Sequence, residues 1–142
     1  YALLVFKKDL VALDSLSALE KSWIAPLPIE FDINLPGYKG MMSMQGGHAG
    51  EKMPKAQAIK DATMAYFINK NRKENSIFVH YNGTYHSDNY EGINWYLRKL
   101  DADIQIVTIA MVEQKDISKL EAEHYNKADF ILVIDEDVTK TY

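Results

Sequence analysis

The sequence predicts an α/β protein with three layers, in which helices flank a mostly parallel sheet and a small helical subdomain is attached. Short, apolar, β-prone runs near residues 76–81, 104–112 and 129–134 predict three strands. Helical patterns lie between them, at about residues 92–100 and 116–127. Strands that alternate with helices imply right-handed crossovers and a parallel sheet. Because all three strands are almost continuously apolar, we expect both faces of the sheet to be covered.

The pattern of residues 1–53 predicts a helical subdomain and an irregular connection. Apolar residues recur at helical spacing through residues 1–13, and the capping-box sequence at residues 17–20 predicts a second, short helix. Residues 25–37 contain three prolines and a glycine, a composition typical of extended, irregular chain. This part of the sequence therefore contributes helices and a connection rather than strands.

The pattern of residues 54–142 predicts the α/β portion. It begins with the strongest helical pattern of the chain, at about residues 54–70. Small residues recur there at helical spacing, at Ala58, Ala62 and Ala65, and form a small-residue stripe along the helix. Three strands make a thin sheet, and the sequence begins with apolar residues rather than Met. We therefore expect the chain to be part of a larger domain whose remaining strands lie upstream.

The composition excludes several classes of function. The 16 basic and 20 acidic residues give a net charge of −4 and are interspersed, whereas a nucleic-acid surface requires clustered Lys and Arg. The absence of Cys excludes a disulfide scaffold, a thiolate nucleophile and cysteine-based zinc or iron–sulfur sites. No apolar run approaches the roughly 18–20 residues that a membrane-spanning helix needs.

The loop that follows the first predicted strand is the strongest candidate for a site. Ligands of open α/β sheets bind beyond the carboxyl ends of the strands, and residues 81–92 place three Tyr, one His and two carboxylates there. His86 can ligate a metal or haem iron, or act as a general base. Tyr85 offers a phenolate, which suits ferric iron. The alternative is a solvated loop with a structural histidine.

The helix at residues 54–70 carries a second group of candidates. Gln57 and Asp61 have i,i+4 spacing and share one face, which Met64 continues. Polar residues in line with an apolar one predict a partly buried polar site, although an exposed helix edge would show the same pattern. Asp61 is the residue that could orient the ring of His86.

Two further segments carry groups with chemical potential. The Met-rich segment at residues 38–50, with Met44 and His48, suits either a lid over a flat apolar ligand or simple core packing. His124 lies beside two glutamates in a polar helical pattern, and we expect it to be solvated.

Together these motifs resemble a known family. Residues 56–65 read A-Q-x-x-K-D-A-x-M-A, and residues 83–86 read G-x-x-H with a further glycine at Gly92. In this order and spacing they are similar to the C-terminal half of the ChaN-like haem-binding uptake family, within the Tiki/erythromycin-esterase superfamily. The resemblance implies a parallel α/β domain with a helical subdomain. It also implies haem bound at the carboxyl end of the sheet, possibly between two protomers.

The resemblance further implies a haem-binding protein of the cell envelope that serves iron and haem uptake. Such proteins are iron-regulated and often lipoproteins, facing the periplasm or anchored to the outer membrane. Haem, a second copy of the chain and a haem receptor are the partners that it implies. The expected cofactor contacts come from the loop, the helix and the Met-rich segment, with iron ligated by Tyr85 or His86: Gly83, Tyr85, His86, Gln57, Asp61, Met64, Met44 and His48.

Two alternatives remain open at this point. Hydrolytic relatives use an upstream G-E-x-H motif with the later histidine, so His86 could help to bind a divalent metal that activates water. No G-E-x-H occurs in the 142 residues, so this chain cannot assemble that centre alone. The second alternative is a catalytically silent interaction protein, whose thin sheet is completed by oligomerisation.

Overall fold

The computed structural model describes residues 1–43 and 50–139, and within them it contains helices and a parallel pair of strands. The predicted α/β class is therefore confirmed. In chain order the elements are α1 (Ala2–Lys8), α2 (Ala18–Lys21), α3 (Pro36–Ser43), α4 (Lys52–Asn71), α5 (Ile93–Leu100), β1 (Ile109–Gln114) and β2 (Phe130–Asp135).

Helix α4 is the centre of the helical part, because three separate groups of residues pack on it. Its small alanine side chains allow neighbouring helices to approach closely. Ala58 lies against Tyr38 and Met41 of α3, whereas Ala62 and Ala65 lie against α5. Ala58 and Ala65 have no exposed surface. A helix surrounded in this way holds its buried polar side chains, Gln57 and Asp61, in fixed positions.

The N-terminal residues form a broken helix rather than one continuous helix over residues 1–13. Helix α1 ends at Lys8 because Asp9 has a positive φ of 69° and its carboxylate accepts a hydrogen bond from the N–H of Leu10. A 3₁₀ turn, Leu10–Ser15, follows. Val5 and Leu13, on the two sides of the break, are both buried in a cluster with residues of α4. The predicted capping box at residues 17–20 is present at the start of α2.

The sheet consists of β1 and β2, which run parallel from Ile109 opposite Phe130 to Gln114 opposite Asp135. Residues of β1 alternate between exposed and buried, so in the described part of the chain one face of the sheet is covered and the other is open. This differs from the coverage of both faces that the strand composition predicts. Five large apolar residues on this stretch are each more than half exposed: Val107, Ile109, Met111, Phe130 and Leu132.

Three predicted elements differ in the structure. Residues 77–83, part of the first predicted strand, form no ladder with any described strand, and the apolar run stays exposed because no neighbour pairs with it. The second predicted strand begins later, at Ile109. The helix expected at residues 116–127 is a loop with one 3₁₀ turn, Ala122–His124. Gln114 causes this difference, because its amide group binds backbone carbonyls of Asp116 and Lys119 that a helix would use.

Candidate functional site

The structure brings together the helix and loop motifs that lie 25 residues apart in sequence. Asp61 of α4 has no exposed surface, and its Oδ1 lies 2.5 Å from Nδ1 of His86. The side chain of His86 is 19% exposed, so the ring extends from this buried carboxylate towards solvent. A carboxylate at this position fixes the imidazole in one orientation and favours a proton on Nδ1. Nε2 is then the ring nitrogen that retains a lone pair.

Tyr38 supplies the second partner of the buried carboxylate. Its hydroxyl donates a hydrogen bond of 2.8 Å to Oδ2 of Asp61, and its side chain is almost fully buried in α3. Burial raises the pKa of Asp61 above its ordinary value, whereas the hydrogen bonds from His86 and Tyr38 act in the opposite direction. Burial beside this carboxylate also raises the pKa of Tyr38 far above that of a free phenol. Tyr38 is therefore a permanent hydrogen-bond donor.

Gln57 completes the contacts of the imidazole. Nε2 of the Gln57 amide lies 2.7 Å from Nδ1 of His86. Gln57 lies one helical turn before Asp61 on the same face of α4. The same amide nitrogen donates a hydrogen bond of 3.5 Å to the backbone carbonyl of Tyr85, so Gln57 contacts two neighbouring residues of the loop. The predicted helix pair and the predicted loop histidine thus form one network.

The loop of His86 is held by a close backbone approach at Gly92. Gly92 has a φ of +55°, and a Cβ at this position would lie 2.4 Å from the carbonyl oxygen of His86 and 3.3 Å from Oδ2 of Asp61. Only glycine adopts this conformation and fits this space. Asn94 of α5 adds a hydrogen bond of 3.0 Å from its amide to the carbonyl of Ser87. The start of α5 therefore fixes the loop from behind.

Glu91 connects the same corner to α3. Its carboxylate accepts a hydrogen bond of 2.7 Å from the N–H of Gly37, in the first turn of α3. Burial raises the pKa of Glu91. This contact places α3, and with it Tyr38, next to the loop. The irregular, proline-rich connection predicted at residues 25–37 therefore ends at the site rather than away from it.

A groove of about 340 Å³ opens beside His86. Its volume lies at the lower end of the range for small-molecule sites, roughly 300–1,000 Å³. Residues of α3, α4 and the loop line it: Met41, Met53, Gln57, Lys60, Gly83, Thr84, Tyr85 and His86. The lining therefore combines two thioethers, a phenol and an imidazole. Thioethers are soft and apolar, whereas phenol and imidazole groups are able to ligate metal ions.

The structure separates the predicted site residues into three groups. Gln57, Gly83, Tyr85 and His86 line the groove, with Asp61 behind them. Met64 is not in the groove, because it packs against the buried cluster between α4 and α5. Met44 and His48 lie outside the described residues. Gly92 belongs to the loop motif and Met41 to the Met-rich segment that the sequence singled out, whereas the contributions of Tyr38 and Met53 were missed because neither charge nor spacing signalled them.

The fold and the site together define an α/β protein that fixes a loop histidine on a buried helix carboxylate, next to an apolar groove. The chain belongs to the family described as haem-binding uptake, Tiki superfamily, ChaN, whose model matches residues 1–97 of the 142. The match covers both motifs and ends inside α5. Comparisons with curated proteins and with solved structures found no match. None of the helices in the described ranges has the length and apolar character needed to cross a bilayer.

Proposed function

We propose that this protein binds haem in the groove beside His86, in the service of iron and haem uptake. The observation that carries the proposal is the convergence of Tyr85, His86 and the thioethers of Met41 and Met53 on one groove, in a chain of a haem-binding uptake family. Haem is flat and largely apolar, so adaptable Met side chains suit its faces. The groove is open, which suits a protein that must also release its ligand.

Tyr85 is the proposed iron ligand. Its side chain is 63% exposed and lies on the groove, and the neighbouring His86 is held with Nδ1 on a buried carboxylate. A phenolate is a hard anion and an established type of axial ligand for ferric haem. An unprotonated Nε2 of His86 can accept the phenolic proton as Tyr85 becomes a ligand. Asp61 and Gln57 then serve by holding the ring in the tautomer that this transfer needs.

Lys60 is the proposed partner of a haem propionate. It is exposed on α4 and lines the same groove as Gln57. An ammonium group at the rim of an apolar groove attracts a carboxylate without entering the apolar part of the site. This gives the ligand an orientation, with its carboxylates at the solvent side. The remaining walls contact the ring system.

The proposed setting is the cell envelope, and this proposal rests on the family's role in uptake.

We also propose that a second copy of the chain covers the open sheet face, because contiguous exposed apolar area of this kind is rare on monomers. A sedimentation measurement tests this proposal, since a monomer at all concentrations would contradict it. If the protein is a monomer, strands of a larger domain would cover the same face instead.

The haem proposal is tested by titration of the untagged protein with haemin. We expect a shifted Soret band that saturates with haemin, and at least about tenfold weaker binding for Tyr85→Phe, which keeps the ring and removes the ligand atom. Tyr81→Phe is the matched control, because Tyr81 is 91% exposed in the same loop and does not line the groove. No spectral change with the wild-type protein would contradict the proposal.

A further inference from the structure

A second groove lies on the other side of Tyr85 and contains a buried histidine. This groove also measures about 340 Å³, and it shares Thr84 and Tyr85 with the first. His124 lines it from the loop between β1 and β2. The residue lies beyond the part of the chain that the family model matches, and the proposed haem site does not use it.

His124 is buried without a hydrogen-bond partner. Only 7% of the residue is exposed, which corrects the expectation of a solvated side chain. Neither Nδ1 nor Nε2 has a partner among the described residues. A buried polar group without a partner costs about 1–3 kcal/mol, and such groups in native proteins usually indicate a bound water or ion. Both ring nitrogens of His124 are therefore free of protein hydrogen bonds in the described residues, as the metal-binding nitrogen of a ligating imidazole would be.

Two carboxylates lie within reach of the same ring. The ligand atoms of Glu121, Glu123 and His124 all lie within 4.8 Å of one another. Nε2 of His124 and Oε1 of Glu123 are 3.6 Å apart, which is too long for a hydrogen bond. In a tetrahedral site with metal–ligand distances of about 2.0–2.2 Å, neighbouring ligand atoms lie roughly 3.4 Å apart. The observed separation therefore suits an ion between the two atoms.

The chain holds this cluster in place from the end of β1. Gln114, the last residue of the strand, is almost fully buried. Its amide group donates to the carbonyls of Asp116 and Lys119, and its Oε1 accepts a hydrogen bond of 3.2 Å from the N–H of Glu121. The loop is thus fixed on both sides of the turn that leads to the cluster. It lies at the carboxyl end of a parallel strand, where α/β proteins place their ligands.

We propose that Glu121, Glu123 and His124 bind a divalent transition-metal ion. One imidazole and two carboxylates form a donor set suited to Zn²⁺ and Mn²⁺, and the two negative charges balance the charge of the ion. The two glutamates are exposed and the histidine is buried, so the ion lies between solvent-facing carboxylates and a buried ring. None of these three ligands lines the groove proposed for haem.

The test is a calorimetric titration of the untagged, metal-stripped protein with Zn²⁺. We expect one binding site in the wild-type protein, and binding at least about tenfold weaker in His124→Gln. The double variant Glu121→Gln/Glu123→Gln gives the same loss without disturbing the core, because both side chains are exposed. Glu74→Gln, an exposed glutamate outside the cluster, is the matched control and keeps full affinity.

His86→Ala separates this site from the haem site and keeps full zinc affinity. Zinc binding that is lost in His86→Ala but kept in His124→Gln would overturn the proposal, since it would assign the ion to the other histidine. Equal affinity in the wild-type protein and both cluster variants would also overturn it, as would no binding to the wild-type protein. In ¹⁵N spectra of the imidazoles, Zn²⁺ is expected to shift the resonances of His124 and leave those of His86 in place.

Discussion

Nδ1 of His86 lies 2.5 Å from Oδ1 of Asp61, and the carboxylate has no exposed surface. The aspartate comes from α4, on which three buried clusters pack, whereas the histidine comes from a loop. A helix residue thus determines the orientation of a side chain on a loop. Tyr38 binds the other carboxylate oxygen, so three parts of the chain meet at one side chain.

Tyr38→Phe is predicted to destabilise the fold by about 1–3 kcal/mol, because Oδ2 of Asp61 loses the donor that satisfies it in the interior. Urea unfolding followed by circular dichroism measures the change. Tyr125→Phe is the control, since Tyr125 is half exposed. Equal stability of the two variants would contradict the role assigned to Tyr38.

Gly92→Ala is predicted to destabilise the protein by about 1–3 kcal/mol, since a Cβ would meet the carbonyl of His86 at 2.4 Å and φ is positive. Gly83→Ala is the matched control in the same loop, because Gly83 has a φ of −74° and a Cβ there meets no atom within 4 Å. Thermal unfolding compares the two variants. The prediction fails if the Gly83 variant is the less stable one.

Asp61→Asn is predicted to change how stability depends on pH. The pKa of Asp61 is raised in the folded protein, so its protonated form favours folding. This contribution is complete below the unfolded-state pKa and is lost as pH rises through the higher folded-state pKa. As pH rises from about 4, the wild-type protein therefore loses the stability that protonated Asp61 contributes. The asparagine variant has no such contribution to lose.

Urea unfolding at a series of pH values tests this prediction. The stability of Asp61→Asn relative to the wild-type protein should increase with pH. Asp14→Asn removes an equal charge from an exposed position and serves as the control. A constant difference between Asp61→Asn and the wild-type protein across the series would show that the buried carboxylate does not titrate as described.

The sequence predicted the helix and loop motifs of the site because their signals are local. The i,i+4 spacing of Gln57 and Asp61 places them on one face, and the G-x-x-H motif marks His86. Tyr38 could not be predicted, because its role depends on the packing of α3 against α4. The burial of His124 was also missed, since a polar neighbourhood in sequence does not reveal that Gln114 folds the loop inward.

The sheet illustrates a second limit. The apolar run at residues 77–81 has strong β propensity, yet a strand exists only where a partner pairs with it. Ile77 and Tyr81 are both about 90% exposed, so the described chain supplies no such partner. By contrast, the parallel pairing of β1 with β2 followed from two apolar runs joined by a crossover. Local propensity therefore predicted β character but not which runs would pair.

Methionine methyl NMR with gallium protoporphyrin, a diamagnetic analogue of ferric haem, tests the central claim most directly. Met41 and Met53 line the groove, Met64 lies in the core and Met111 lies on the sheet. If the porphyrin binds between α4 and the loop of His86, ring currents will shift the methyl signals of Met41 and Met53 strongly and that of Met64 little. Shifts confined to Met111, or no shift at saturating ligand, would contradict the account.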